Sequence, residues 1–158
     1  RLYPVSVPAA EKGIPKKTVK IIFSWLAVIA CMVAIFCFSA QNSDDSQSLS
    51  EKFSFLLRFP EYTAIIRKLA HYLEYTLLGA LLSNAFYQTS GKQKPFISLI
   101  CGTLYAASDE YHQLFVDGRA GRVFDVFIDC LGVVSGILFF FALSFLINRL
   151  KLRRFSHD

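Results

Sequence analysis

The sequence predicts an all-α membrane protein with four transmembrane helices and one short amphipathic helix between the first two. Of its 158 residues, 54% are hydrophobic and only 18% are charged, and the mean hydropathy is +0.42. A soluble domain has about 25% charged residues, so the chain is too apolar for that class. The apolar residues gather into runs close to the roughly 20 residues that cross about 30 Å of hydrocarbon.

Four runs are predicted as membrane spans. They cover about residues 21–40, 69–88, 96–115 and 125–147. The first run has no charged residue between Lys20 and Asp44, and it exceeds the 7–15 apolar residues of a signal-peptide core. We therefore expect a retained helix there. The second and third runs are weaker by hydropathy, because each carries ionisable residues at one end.

The spans form one predicted domain over residues 20–148. An irregular segment with three prolines precedes it over residues 1–19, and a basic tail follows over 149–158. Ser48 and Glu51 form a capping box at the start of the short amphipathic helix, because each satisfies a backbone N–H that the first turn leaves unpaired. We expect this helix to lie flat on the outer membrane surface or to cap the bundle.

The Lys and Arg residues predict the orientation. With four spans both termini share a side, and that side holds eleven of the 17 Lys and Arg residues. Because cytoplasmic loops carry the excess of these residues, we expect both termini to be cytoplasmic. The net charge of +5 then reflects topology and attraction to anionic lipid. No nucleic-acid-binding motif is present, so no nucleic-acid partner is predicted.

Small residues mark the predicted packing faces of the spans. Gly132 and Gly136 form a GxxxG pair on the fourth span, and Gly79 and Ser83 have the same spacing on the second. Such spacing lets two helix backbones approach closely. The sequence leaves open whether the GxxxG face packs within one chain or between chains, and with it the oligomeric state.

Ionisable residues concentrate at the span ends that this topology places outside. They are His71 and Glu74 on the second span, Asp109, Glu110 and His112 on the third, Arg119 and Arg122 in the following turn, and Asp125 and Asp129 on the fourth. A charge at the bilayer centre costs about 2.5–3.5 kcal/mol or more, so such residues usually face a bundle interior or a wet cavity. We therefore expect a polar site that opens outward.

Helix periodicity indicates where these side chains point. Asp125 and Asp129 share one helix face with the GxxxG glycines, so they should face a neighbouring helix. Asp109 and Glu110 lie on different faces of the third span, and we expect that both faces cannot point fully inward.

Three functional interpretations follow from this cluster. The first is a structural network of paired charges. The second is a binding or transport site for a polar head group, with Arg119 as a fork-shaped donor to phosphate or carboxylate. The third is an enzyme in which His71, Glu74 or Asp125 does acid/base work, or in which these residues and Asp129 hold a divalent metal.

The spacing of these side chains matches no established metal-ligand signature, so no metal site is assigned. The four cysteines lie within predicted spans and form no CxxC, which predicts neither a disulfide nor a thiolate site. No P-loop, dinucleotide fingerprint or serine-nucleophile motif is present, and no cofactor is predicted.

Four segments carry a resemblance to a known family. They are F-S-A-Q-N after the first span, R-K-L-A-H-Y-L-E-Y at 67–75, S-D-E-Y-H-Q-L-F at 108–115, and D-G-R-A-G-R-V-F-D-V-F-I-D-C-L-G at 117–132. In this order they resemble the VanZ-like family of small bacterial polytopic membrane proteins, over about residues 21–140. The matching family positions are Gln41, Arg67, Lys68, His71, Glu74, Tyr75, Asp109, Glu110, Gln113, Phe115, Arg119, Asp125, Asp129 and Gly132.

The resemblance implies a multi-pass protein of the bacterial plasma membrane. The founding member is associated with teicoplanin resistance, which suggests a ligand class. We expect the site to engage a cell-envelope amphiphile, either a lipid-linked wall precursor or a lipoglycopeptide such as teicoplanin. The expected ligand-binding residues are Lys68, His71, Glu74, Asp109, Glu110, Gln113, Arg119, Asp125 and Asp129.

Overall fold

The computed structural model describes residues 15–40, 63–116 and 123–155. These residues form four α-helices and no strand, which confirms the all-α prediction for this part of the chain. The helices are α1 (Lys16–Ser39), α2 (Thr63–Ser90), α3 (Pro95–Gln113) and α4 (Val123–Phe155). The predicted amphipathic helix, with Ser48 and Glu51, and the turn with Arg119 and Arg122 lie outside the described residues.

Helix α2 occupies the centre of the bundle. It packs against α1, α3 and α4, and its contact with α4 is the most extensive, whereas α1 and α3 touch at few points. A tight connection joins α2 to α3: Gly91, with φ of +69°, donates its N–H to the Tyr87 carbonyl, and Pro95 begins α3. A glycine past a helix end and a proline at the next start are typical of helix reversal.

Glycines bring the α2 and α4 backbones together. A Cβ atom on Gly132 would lie 2.6 Å from the Tyr72 carbonyl oxygen, and one on Gly136 would overlap the Thr76 carbonyl oxygen. On the facing helix, a Cβ on Gly79 would overlap the Val133 carbonyl oxygen. The GxxxG face therefore packs against α2 of the same chain, as expected for close small-residue packing.

The outer surface of the bundle is apolar, unlike that of a soluble domain. Large apolar side chains point outward on all four helices, for example Phe23, Leu77, Leu104 and Phe127. The buried polar residues are Ser24, Ser39, Ser83, Ser98, Asp109, Glu110, Gln113 and Asp129. Because monomeric soluble proteins rarely expose large contiguous apolar areas, these outward-facing side chains are better suited to a lipid environment than to water.

Two of the four described helices, α1 and α4, are long and apolar enough to cross a membrane. Only 17% and 22% of the residues in their most apolar windows are buried, whereas the core helix of a soluble protein is mostly buried. Helices α2 and α3, which carry the ionisable residues, do not reach this apolarity.

Val133 occupies the point where three helices meet. Its backbone contacts α2 at Gly79, and its Cγ1 atom lies 2.7 Å from where a Cβ of Gly102 on α3 would stand. Val133 is fully buried, as are Leu78 and Ala106. The middle of the bundle is therefore a closely packed apolar core.

Candidate functional site

One end of the bundle carries polar side chains from all four helices, which we call the polar layer. Its described members are Ser39 from α1, Lys68, His71, Glu74 and Tyr75 from α2, Asp109, Glu110 and Gln113 from α3, and Asp125 and Asp129 from α4. They meet because α1 and α3 end where α2 and α4 begin. Eight of the nine predicted ligand-binding residues are members, and the ninth, Arg119, lies outside the described residues.

An ion pair joins α2 to α4 at the rim of the polar layer. The Lys68 Nζ atom lies 2.9 Å from Asp125 Oδ1, and the two side chains are 40% and 29% exposed. The same Nζ atom lies 5.0 Å from the centre of the Phe124 ring, a distance at which a cation and a ring attract. Lys68 is therefore held in place but remains accessible.

We expect this rim pair to contribute little to stability. In a double-mutant cycle with Lys68→Gln and Asp125→Asn, the coupling free energy should be about 0.5–1 kcal/mol, because partly exposed ion pairs are screened by solvent. Thermal or denaturant unfolding of the four proteins in detergent measures it. A coupling of several kcal/mol would contradict the rim position and favour the structural-network interpretation.

The carboxylates inside this rim are strongly buried. The exposed fractions are 1% for Asp129, 3% for Asp109 and 7% for Glu110. Asp129 lies close enough to Glu74, Asp109, Glu110 and Asp125 to interact electrostatically with each of them. The described members of the polar layer thus include five carboxylates, so its interior is acidic although the whole chain is basic.

The end of α3 is covered on two sides. Gln113 donates from Nε2 to Ser39 Oγ on α1 at 2.8 Å and to Asp109 Oδ2 at 3.3 Å. Glu110 is buried on the other face and interacts with Asp129 of α4. The expectation that these two faces could not both point inward is wrong for Asp109 and Glu110, because α1 covers one face and α4 the other.

His71 and Glu74 lie one helical turn apart on α2. The His71 Nδ1 and Glu74 Oε2 atoms are 3.7 Å apart, which is longer than a hydrogen bond of about 2.7–3.2 Å. Within the described ranges, no three His, Cys, Asp or Glu side chains are arranged to hold a metal ion. The described residues therefore provide no set of metal ligands for the metal-dependent form of the enzyme interpretation.

Tyr75 is a member of the polar layer that the predicted site did not include. Its side chain is fully buried, and it interacts electrostatically with Asp109 and Asp129. A signal was present in the sequence, since Tyr75 follows His71 by four residues and therefore shares its helix face. Ser39 was not singled out, although it lies in the F-S-A-Q-N segment that carries part of the family resemblance.

A second polar group lies at the opposite end of α1 and α2. Trp25 Nε1 donates to Thr89 Oγ1 at 3.1 Å, and Asn84 Nδ2 donates to Ser24 Oγ at 3.3 Å. These side chains are uncharged and bond to one another across the two helices. They fasten α1 to α2, a role that the sequence analysis did not identify.

The family of the chain follows from the match of its sequence to a family profile. The VanZ/LLP1 profile matches residues 23–146, more than three quarters of the chain. The chain belongs to the VanZ/LLP1 family. The matched region begins within α1 and ends within α4, so every described member of the polar layer lies inside the VanZ/LLP1 region. Comparisons with curated proteins and with solved structures gave no significant match.

Proposed function

We propose that this VanZ/LLP1 protein is a four-span protein of the bacterial plasma membrane whose polar layer faces outward and binds a cell-envelope amphiphile. The ligand would be a lipid-linked wall precursor or a lipoglycopeptide such as teicoplanin. The observation that carries the proposal is the placement of buried charged side chains at one end of a bundle whose outer faces are apolar. Polar residues in such a setting typically mark a ligand site or pathway.

The packing of α2 and α3 supports four spans. Both helices lie beside α1 or α4 and expose apolar side chains outward, including Leu73 on α2 and Ile100 on α3. Their 28 and 19 residues give lengths of about 42 and 28 Å at 1.5 Å per residue, close to or above the hydrocarbon thickness of about 30 Å. The distribution of Lys and Arg favours cytoplasmic termini.

The apolar core favours a binding site over a conducting path. Leu78, Ala106 and Val133 are fully buried, and each lies three or four residues from a member of the polar layer along its own helix. A channel or proton path would need polar groups through this region. The polar layer instead brings a few polar groups together above this apolar core, and convergent polar groups in an apolar setting are typical of ligand sites.

Charge at the rim suits an amphiphile with a charged head group. Lys68 is 40% exposed and can donate to a phosphate or carboxylate without losing its contact with Asp125. The acyl or polyprenyl part of the ligand would lie along the outward apolar faces, as membrane lipids do. Arg119 is proposed as a second anion donor from the turn before α4.

Drug susceptibility tests this proposal. We expect expression of the protein in a teicoplanin-susceptible bacterium to raise the inhibitory concentration of teicoplanin, and to leave that of a glycopeptide without an acyl chain nearly unchanged. Asp125→Asn should abolish the effect because it releases Lys68 from its position at the rim. Lys151→Gln, at the opposite end of α4, is the matched control and should behave like the wild type.

Membrane levels of each variant are measured by immunoblot, so that loss of effect is not confused with loss of protein. If the wild type gives no shift, or if Asp125→Asn and Arg119→Ala both act like the wild type at equal levels, lipoglycopeptide binding at this site is refuted. An equal shift for both antibiotics would point to a change in the wall instead of binding to the amphiphile.

A further inference from the structure

We infer that the inner part of the polar layer, formed by Tyr75, Asp109 and Asp129, binds a primary ammonium group. This inference rests on the proposed function, since the ammonium would belong to the head group of the bound amphiphile. Neither the family nor the position of the site indicates this chemical class of ligand.

Three buried oxygen atoms carry the inference. Asp129 Oδ2 is inaccessible to solvent and has no hydrogen-bond partner among the described residues, and the Tyr75 hydroxyl and Asp109 Oδ1 are equally inaccessible and interact only with each other. Their residues are 0%, 3% and 1% exposed, and Tyr75 interacts electrostatically with both carboxylates. Buried polar atoms without partners are rare in folded proteins, and each one calls for an explanation.

The charge around these atoms selects a cation. Among the described residues of the polar layer, the Lys68 ammonium is already paired with Asp125, and Asp129 interacts with four other carboxylates. A buried carboxylate without compensation is costly, so the site favours a ligand that brings positive charge. A phosphate or carboxylate at this depth would instead be repelled.

Hydrogen-bond chemistry narrows the cation to a primary ammonium. Such a group has three N–H donors and no acceptor, which matches three oxygen atoms that can all accept. A quaternary ammonium carries the same charge but has no N–H, so it would leave these atoms unsatisfied. A metal ion is disfavoured because no group of three His, Cys, Asp or Glu in the described segments is arranged to bind one.

Two envelope amphiphiles present this group, namely phosphatidylethanolamine and a lipid-linked wall precursor with a free side-chain amine. In either case the ammonium would enter the Tyr75–Asp109–Asp129 site while the phosphate stays near Lys68 at the rim. Both ligands have a head group with an ammonium and a phosphate, and the ammonium would lie inside the polar layer while the phosphate lies at its rim. This order follows from the burial of the carboxylates and the exposure of Lys68.

Lipid binding to the purified full chain tests the inference. Native mass spectrometry in detergent would compare phosphatidylethanolamine, phosphatidylcholine and phosphatidylglycerol with the same acyl chains, and an amine-bearing wall precursor. We expect the primary-amine ligands to bind at least about tenfold more tightly than phosphatidylcholine. This ratio corresponds to a difference in binding free energy of about 1.4 kcal/mol, which is similar to the contribution of one charged hydrogen bond. Preference for phosphatidylethanolamine over the precursor, or the reverse, would identify the source.

Two conservative variants place the effect at this site. Tyr75→Phe removes one hydroxyl and Asp129→Asn removes one charge, and each should abolish the preference for primary amines. Tyr87→Phe, at the opposite end of α2, is the matched control and should keep it. The comparison of ligands on the wild type decides the question even if a variant fails to fold.

Failure of the ammonium inference and failure of the proposed function would give different results. Equal binding of phosphatidylethanolamine and phosphatidylcholine would overturn the ammonium inference, while displacement of either by teicoplanin would leave the proposed function standing. Preferential binding of phosphatidylglycerol would overturn the inference by showing that the site selects anions. Binding of none of the four ligands would refute both the inference and the proposed amphiphile site.

Discussion

Gly136→Ala should destabilise the fold by about 2–3 kcal/mol, near the upper end of the usual cost of overpacking. The added Cβ would overlap the Thr76 carbonyl oxygen and lie 2.7 Å from the Ala80 backbone nitrogen. Both are main-chain atoms of α2, so no side-chain rotation can relieve the overlap, and the two helices must separate. Gly136→Val should prevent the accumulation of folded protein.

The measurement is thermal unfolding of the purified protein in detergent, followed by the loss of monodisperse protein on size exclusion. Ala142→Val is the matched control, because it enlarges an outward-facing residue of the same helix and should change stability little. If Gly136→Ala and Ala142→Val unfold at the same temperature, α2 and α4 are not in backbone contact, and the GxxxG face is free for another chain.

Asp129→Asn should have the opposite effect and stabilise the ligand-free protein by about 1–3 kcal/mol, the usual cost of an unsatisfied buried polar group. Asp129 is 1% exposed, has an Oδ2 atom without a partner among the described residues, and interacts with four other carboxylates. The amide keeps the shape, removes the charge and offers N–H donors to its neighbours. The same change should abolish the preference for primary-amine ligands, as expected where a site is built at the expense of stability.

Asp125→Asn provides the contrast for this experiment. Asp125 is partly exposed and accepts a hydrogen bond from Lys68, so its loss should be neutral or slightly destabilising. Unfolding free energies of both variants, measured without added lipid, test the difference in sign. A loss of stability in Asp129→Asn would show that the charge of Asp129 is compensated in the folded protein.

The sequence predicted which helix ends carry the site but only part of how its side chains meet. Lys68 and Asp125 belong to different helices, and the topology alone predicted that both would reach the outer end. Their 2.9 Å contact depends on the rotation of each helix about its axis, which periodicity does not give relative to a neighbour. For the same reason the burial of both Asp109 and Glu110 was not predicted.

The sequence also did not predict which helix packs against the GxxxG pair. Gly132 and Gly136 predict a close helix contact wherever that contact lies, and nothing in their spacing distinguishes a helix of the same chain from one of another. The structure resolves this at Tyr72 and Thr76 of α2. Tyr75 matches a family position but was not included in the predicted site, and the burial of its hydroxyl next to Asp109 and Asp129 depends on how the helices pack.

The close packing around Val133 bears on proton leakage across the membrane. A bacterial membrane holds a proton-motive force, and any continuous polar path across it would let protons flow back and waste respiration. In the proposed orientation, the polar layer lies toward the outside, and Val133, which packs closely against Gly79 and Gly102, belongs to the apolar core between this layer and the cytoplasm. We therefore expect the protein to conduct no protons across the membrane.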